Sequence, residues 1–170
     1  MALDPKTPGV YIQEVSIFPP SITSVATAIP AFLGYTQNDV ADPKRISSMN
    51  EYVSIFGGPH LYLETVGTTN AAPTPIGSAN NFVLYYCMQM FFANGGGPCW
   101  IISVGGYKPT FGAALVKTEL EAGLTALAKE DEPTLILFPE AQNLTAIADF
   151  KALQDAALLQ CETLKDRFVI

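Results

Sequence analysis

The chain has 170 residues, enough for one hydrophobic core, and its 9 Lys plus Arg against 16 Asp plus Glu give a net charge of -7. With the basic residues scattered among acids, that balance excludes a phosphate-backbone binder, so no nucleic-acid partner is expected. The most apolar stretch, Phe82 to Ala93, is about a dozen residues where a membrane span needs roughly 20, so no direct membrane insertion is expected either.

The first segment has no helical period. Val10 and Ile12 lie on one side of an extended stretch and Tyr11, Gln13 and Val15 on the other, bounded by Pro8-Gly9 and Pro19-Pro20. This predicts an isolated strand from Gly9 to Ser16, with Glu14 its single charge. Such a strand presents unpaired backbone groups, which a partner sheet would satisfy by strand addition. The expected organisation is therefore an extended N-terminal β-arm over residues 1–20 and an α/β core domain over residues 21–170.

From Ser21 the chain becomes steadily more apolar towards Gly34-Tyr35, which predicts a buried strand interrupted at Pro30. Residues 38–44 read as a turn-rich loop. Ser48 and Glu51 have capping-box spacing, and Tyr52, Val53, Ile55 and Phe56 supply the apolar face of a helix that Gly57-Gly58-Pro59 ends. Residues 65–80 form a small-residue loop. A second helix over 81–93 is apolar nearly all round, which predicts a central position. Asn94-Gly95-Gly96-Gly97 closes it, and Cys99 to Val104 reads as a buried strand.

A third helix is expected over 111–129, with Val116, Leu120, Leu124 and Leu127 on one face, then a short strand from Thr134 to Phe138. A fourth helix over 144–164 repeats Ile147, Phe150, Leu153, Ala157, Cys161 and Leu164, with Asn143-Leu144-Thr145 as its N-cap region. Arg167 to Ile170 begins another strand. Helices alternating with wholly apolar strands imply a mostly parallel or mixed sheet covered by helices on both faces. A last strand with no following helix suggests that the fold is incomplete at the C-terminus.

Motifs for chemistry are sparse. The glycines at 95–97 follow a helix and lead into a strand, the reverse of a phosphate-binding turn. The loop in the correct order, Gly105 to Thr110, lacks P-loop spacing, although Lys108 lies within it. His60 is the lone imidazole and no GxSxG elbow accompanies it, so neither a nucleophilic triad nor a multi-histidine metal site is encoded. Cys87, Cys99 and Cys161 form no CxxC pair and read as packed thiols. Glu130-Asp131-Glu132 reads as a solvated acidic turn, and Phe82, Tyr85, Tyr86, Phe91, Phe92 and Trp100 as core aromatics. No secretory signal opens the chain, which predicts synthesis in a cytoplasm. The chain is expected to be no enzyme, with no cofactor and no metal. Between Tyr52 and Tyr107 the only formal charge is Glu64, a pattern that points to burial against partners.

An ordered series of motifs resembles contractile tail-sheath proteins, of phages and of phage-tail-like extracellular injection particles. They are Thr7-Pro-Gly-Val-Tyr-Ile-Gln-Glu-Val15, Pro19-Pro-Ser-Ile22, Ala26-Thr-Ala-Ile-Pro-Ala-Phe-Leu-Gly-Tyr-Thr36, Glu51-Tyr-Val-Ser-Ile-Phe-Gly-Gly58, Met88-Gln-Met-Phe-Phe-Ala-Asn-Gly-Gly96 leading into Cys99-Trp-Ile-Ile-Ser-Val104, Thr134-Leu-Ile-Leu-Phe-Pro-Glu-Ala141, and Asp166-Arg-Phe-Val-Ile170. The resemblance implies a subunit that polymerises helically around an inner tube and contracts to drive that tube through a target envelope. It implies partners of three kinds: further copies of itself, the tube protein, and baseplate and cap proteins. The arm residues Val10, Tyr11, Ile12, Gln13, Glu14 and Val15 would then pair with a neighbouring subunit, and a C-terminal arm beyond Ile170 would do the same. Assembly would take place in the bacterial cytoplasm before the particle is used or released. The competing readings are a small cytoplasmic α/β nucleotide-binding enzyme using the loop at 105–110, and a non-contracting cap or baseplate relative.

Overall fold

The computed structural model describes residues 28–60, 81–108 and 113–170. The arm expected over Gly9 to Ser16 and the loop over 65–80 lie outside the described residues.

The first described strand, β1 (Pro30–Thr36), is buried along its whole length. Pro30 is its first residue, the position where a missing backbone N–H does not break a central ladder. The expected interruption is thus the start of the strand. A second strand, β2 (Lys44–Ile46), begins on the last residue of the expected loop and was not foreseen. Helix α1 (Met49–Phe56) begins at the expected cap: Ser48 Oγ accepts from the Glu51 amide at 3.3 Å, while the Glu51 carboxylate reaches back to the Ser47 amide at 2.6 Å. The reciprocal half of the capping box is therefore displaced by one residue. Gly57 ends the helix with φ +88°.

The remaining elements are α2 (Leu84–Ala93), β3 (Cys99–Gly106), α3 (Lys117–Leu127), β4 (Leu135–Leu137), a 3-10 turn at Ala141–Asn143, α4 (Ile147–Leu164) and β5 (Phe168–Val169). The third and fourth helices both start later than their apolar periodicity predicts, because Val116 and Ala146 are still extended. Asn143 to Thr145 is not the cap of α4: Asn143 belongs to the 3-10 turn, and Ala146 precedes the helix without a side-chain cap.

The five strands form one sheet in the order β2-β3-β1-β4-β5. β3, β1, β4 and β5 run parallel, and β2 is antiparallel to β3, so the sheet is mixed. Helices cover both faces. Alternation along β1 sends Phe32 towards α1 and α2, where it joins Ile46, Tyr52, Phe56, Leu84 and Met88. Ala31 and Leu33 point to α3 and α4, where they meet Leu120, Leu124, Leu127, Leu153 and Ala157.

Two helices are less enclosed than their sequences suggest. In α2 only Leu84 and Met88 are buried, while Met90 is 67% exposed. The helix lies on the outer surface of a layer rather than at the centre. In α4 the buried residues are Leu153 and Ala157, and Ile147 is 86% exposed. Apolar residues at helical spacing outnumber the positions that one flat sheet face can cover, and the surplus faces outward. No helix among the described residues is long and apolar enough to cross a membrane.

Candidate functional site

Open α/β sheets place their reactive groups beyond the carboxyl ends of the parallel strands. Here that edge carries Tyr35 and Thr36 from β1, the loop after β3 and Glu140 after β4. The Tyr35 hydroxyl donates to Glu119 and accepts from the Val116 amide at 3.0 Å. Lys108 closes the arrangement: its Nζ is 2.8 Å from Glu119 Oε1 and 5.4 Å from the centre of the Tyr35 ring. Burial works to raise the Glu119 carboxyl, but the hydrogen bonds from Lys108 and Tyr35 outweigh it and hold the group below its usual range. Burial and the bond to Glu119 push the Tyr35 phenol well upward. The cation of the loop at 105–110 is thus committed to an internal ion pair, and its backbone packs over Tyr35 at Gly105.

Glu140 is completely enclosed. One carboxylate oxygen accepts from the Tyr35 amide at 2.9 Å and the other from the Leu84 amide at 3.1 Å, and the Val83 backbone also bonds to it. The carboxylate joins the end of β1 to the first turn of α2, whose flanking residue Val83 supplies no side-chain cap. Burial raises its pKa to about 7, against the opposing pull of these bonds.

His60 packs edge-on against Phe82 and Tyr107, with ring centres 5.0 Å away in each case. Its Nδ1 is buried, and among the described residues it has no hydrogen-bond partner, acidic or otherwise. Nearby, Thr36 donates to the Asn38 carbonyl at 2.7 Å and lies 2.7 Å from Ser103 Oγ. Nucleophile, base and acid are therefore each tied into packing or backbone contacts, and the described residues contain no group of three metal-ligating side chains. Asp131 and Glu132 are exposed, as a solvated acidic turn requires, and Glu132 in addition accepts from Trp100 Nε1 at 2.8 Å and pairs with Arg45 at 3.0 Å. All three cysteines are free, with Cys99 buried and the other two half-buried.

The openings in the surface are apolar. A groove of about 710 Å3 runs between the C-terminal half of α2 and the strands β1 and β4, bounded by Met90, Phe91, Ile29, Leu135 and Leu137. Among the described residues no helix lies over β1 and β4 at this place, and Phe168 of β5, aligned with Leu135, is 73% exposed. On the opposite side a smaller groove of about 390 Å3 lies between α3 and α4, beside Leu124, Ala156 and Leu159. Both grooves are lined mainly by apolar side chains, which offer few polar groups to a small polar substrate.

Comparison with solved structures gives the same architecture. A chain in the cryo-EM structure of the anti-feeding prophage (AFP) helical sheath in the contracted state matches 95% of this chain with a TM-score of 0.53 and 22% identity. A chain in the AFP baseplate in the contracted state matches 92% with a TM-score of 0.57 and 21% identity. The chain thus shares the fold of part of these two AFP chains. The chain spans 38% of the length of each of the two chains it matches. No family model and no curated protein matches it.

Of the residues singled out from sequence, Lys108 and His60 are brought to the same carboxyl edge, but as packing groups. The arm residues Val10 to Val15 lie outside the described residues. Sequence reasoning missed β2, a three-residue strand too short to carry a period, and it missed the burial of Glu140, which the motif Thr134 to Ala141 contains without marking it as enclosed.

Proposed function

We propose that the chain is a structural subunit of a contractile sheath, polymerising helically around an inner tube and contracting to drive that tube through a target envelope. The observation that carries this reading is the match of nearly the whole chain to the fold of a helical sheath. The ordered motifs from Thr7 to Ile170 support it, as do the apolar grooves and the exposed side chains of α2 and α4. At the carboxyl edge, where an enzyme of this architecture would hold substrate, Tyr35, Lys108 and Glu119 bond to one another and Glu140 to backbone amides.

In this reading residues 1–20 act as an arm for exchange between subunits, and 21–170 form the N-terminal part of the sheath core. Val10, Tyr11, Ile12, Gln13, Glu14 and Val15 add a strand to a neighbour's sheet, with backbone bonds supplying affinity and alternate side chains supplying register. The partners are further copies of the chain, the inner tube, and baseplate and cap proteins. Assembly takes place in a bacterial cytoplasm. Contraction needs no nucleotide if the contracted state buries more surface: at about 25 cal/mol per Å2, a few hundred Å2 per subunit yields several kcal/mol before entropic losses.

A baseplate component is the second reading, favoured by the match to a chain of the AFP baseplate. Electron microscopy separates the two: a sheath subunit gives helical tubes, a baseplate component closed rings. Deletion of residues 1–16 is expected to leave a folded domain that forms no tubes. Normal tubes from the truncated protein would refute the role of the arm.

A further inference from the structure

We infer that Glu140 is a proton-linked latch that fastens the start of α2 to the carboxyl edge of the sheet. Its side chain is enclosed on every side, and its two oxygens receive amide hydrogens from two separate elements, Tyr35 in β1 and Leu84 in α2. Gly34 leaves the room for it: a Cβ there would lie 3.1 Å from Glu140 Oε2. Burial without a cation shifts a carboxylate towards its neutral form, while the amide bonds it accepts pull towards the charged one.

No cation faces it. From β1 comes Tyr35, from α1 Tyr52, from α2 Cys87 and from the segment after β3 Tyr107. Each is an acid raised chiefly by burial and further by the charge of Glu140. The Tyr52 hydroxyl is itself buried without a hydrogen-bond partner among the described residues. Lys108 stands across the Tyr35 ring and is spent on Glu119. The surroundings thus offer Glu140 amide donors and other acids, and nothing that neutralises it.

Two opposing effects set the response. The ionised form makes the best acceptor for the three amides, but it places a charge in a region without a counter-ion. Burial prevails, and the group takes up its proton at about 7 rather than at the usual 4.5. The folded state therefore binds a proton that the unfolded chain releases between those values, and stability falls as pH rises through the window. A shift of this size corresponds to a change on the order of a hundredfold in the folding equilibrium. α2 carries the exposed Tyr86 and Met90. Charging Glu140 near neutral pH lowers the stability of the fold that seats this surface, although its amide bonds favour the charged form.

The test is a pH titration of the folded protein by NMR from pH 5 to 9, following the Glu140 side-chain carboxyl carbon and the Tyr35 and Leu84 amides. The carboxyl carbon reports Glu140 alone, not the imidazole of His60. We expect one shared midpoint near 7 and a urea midpoint that is higher at pH 5.5 than at 8.5. In Glu140→Gln the amide inflection disappears. A carboxyl midpoint below 5, or equal urea midpoints at the two pH values, overturns the latch. Both readouts come from the unsubstituted protein, so they decide the matter even if the variant fails to fold.

Discussion

A Cβ added at Gly123 would sit 2.5 Å from Val104 Cγ1, inside the contact between α3 and β3. Alanine is the better helix former by up to about 1 kcal/mol, whereas forcing a methyl group into a packed contact costs roughly 1 to 3 kcal/mol. The contact should prevail, so Gly123→Ala is expected to lower stability by about 1 kcal/mol, read from the urea midpoint. A result at or above that of the unsubstituted protein would show that Val104, which is half-buried, moves aside. Gly57 has two reasons to be glycine: its φ of +88°, and Gln37, whose Oε1 would lie 2.5 Å from a Cβ. That same Oε1 accepts from the Gly58 amide at 2.6 Å, so a larger residue at 57 would also disturb the bond that closes the end of α1. Gly57 and the Ser48 cap were legible in the sequence, because helix ends have local signatures. Gly123 was not, since its constraint comes from a strand that precedes it across a long loop.

Helix α2 shows what an element's own pattern leaves open. Its sequence is apolar on all sides, which led to a central placement, yet the sheet covers only the side carrying Leu84 and Met88. Two methionines of the one helix therefore give a clean comparison. Met88→Ala should cost on the order of 2 to 5 kcal/mol, as truncation of a fully buried side chain does. Met90→Lys should change stability by no more than about 0.5 kcal/mol, because the residue is 67% exposed. Thermal unfolding of both variants checks this, and a large loss at Met90 would show that the outer face is packed after all. In α4 the same surplus places Ile147 and Leu159 outside. At β5, Arg167 does what a local pattern could not announce. Its guanidinium is buried, donates to the carbonyls of Leu127 and Glu130, and pairs with Asp166 at 2.7 Å. It satisfies the end of α3 from a strand that follows much later in the chain.

For the whole molecule, the charged groups divide into two sets with opposite pH behaviour. Glu119 and Asp166 are held below their ordinary values of 4.5 and 3.8, so they contribute stability above those values and lose it as pH falls. Glu140 is raised to about 7, so its contribution is fully present below 4.5 and is lost as pH rises through 7. The two windows leave a maximum at about pH 5. A thermal-unfolding series from pH 3 to 9 should give a bell with its summit there. A summit at pH 8 would contradict the assignment of Glu140 as a buried acid without a counter-ion.

The α/β class, the alternation of helices with apolar strands, the helix stops and the sheath-like motif order were all fixed by short-range features of the sequence. Periodicity, caps and glycine turns act within a few residues, and they can be read from one chain. The tertiary structure decided the strand order, the antiparallel β2 on the outer edge of β3, which apolar side chains stay outside, and the burial of Glu140. Each of these depends on which segments meet across the fold. An acid between Pro139 and Ala141 has no local mark of burial until β1 and α2 bring two backbone amides to its oxygens.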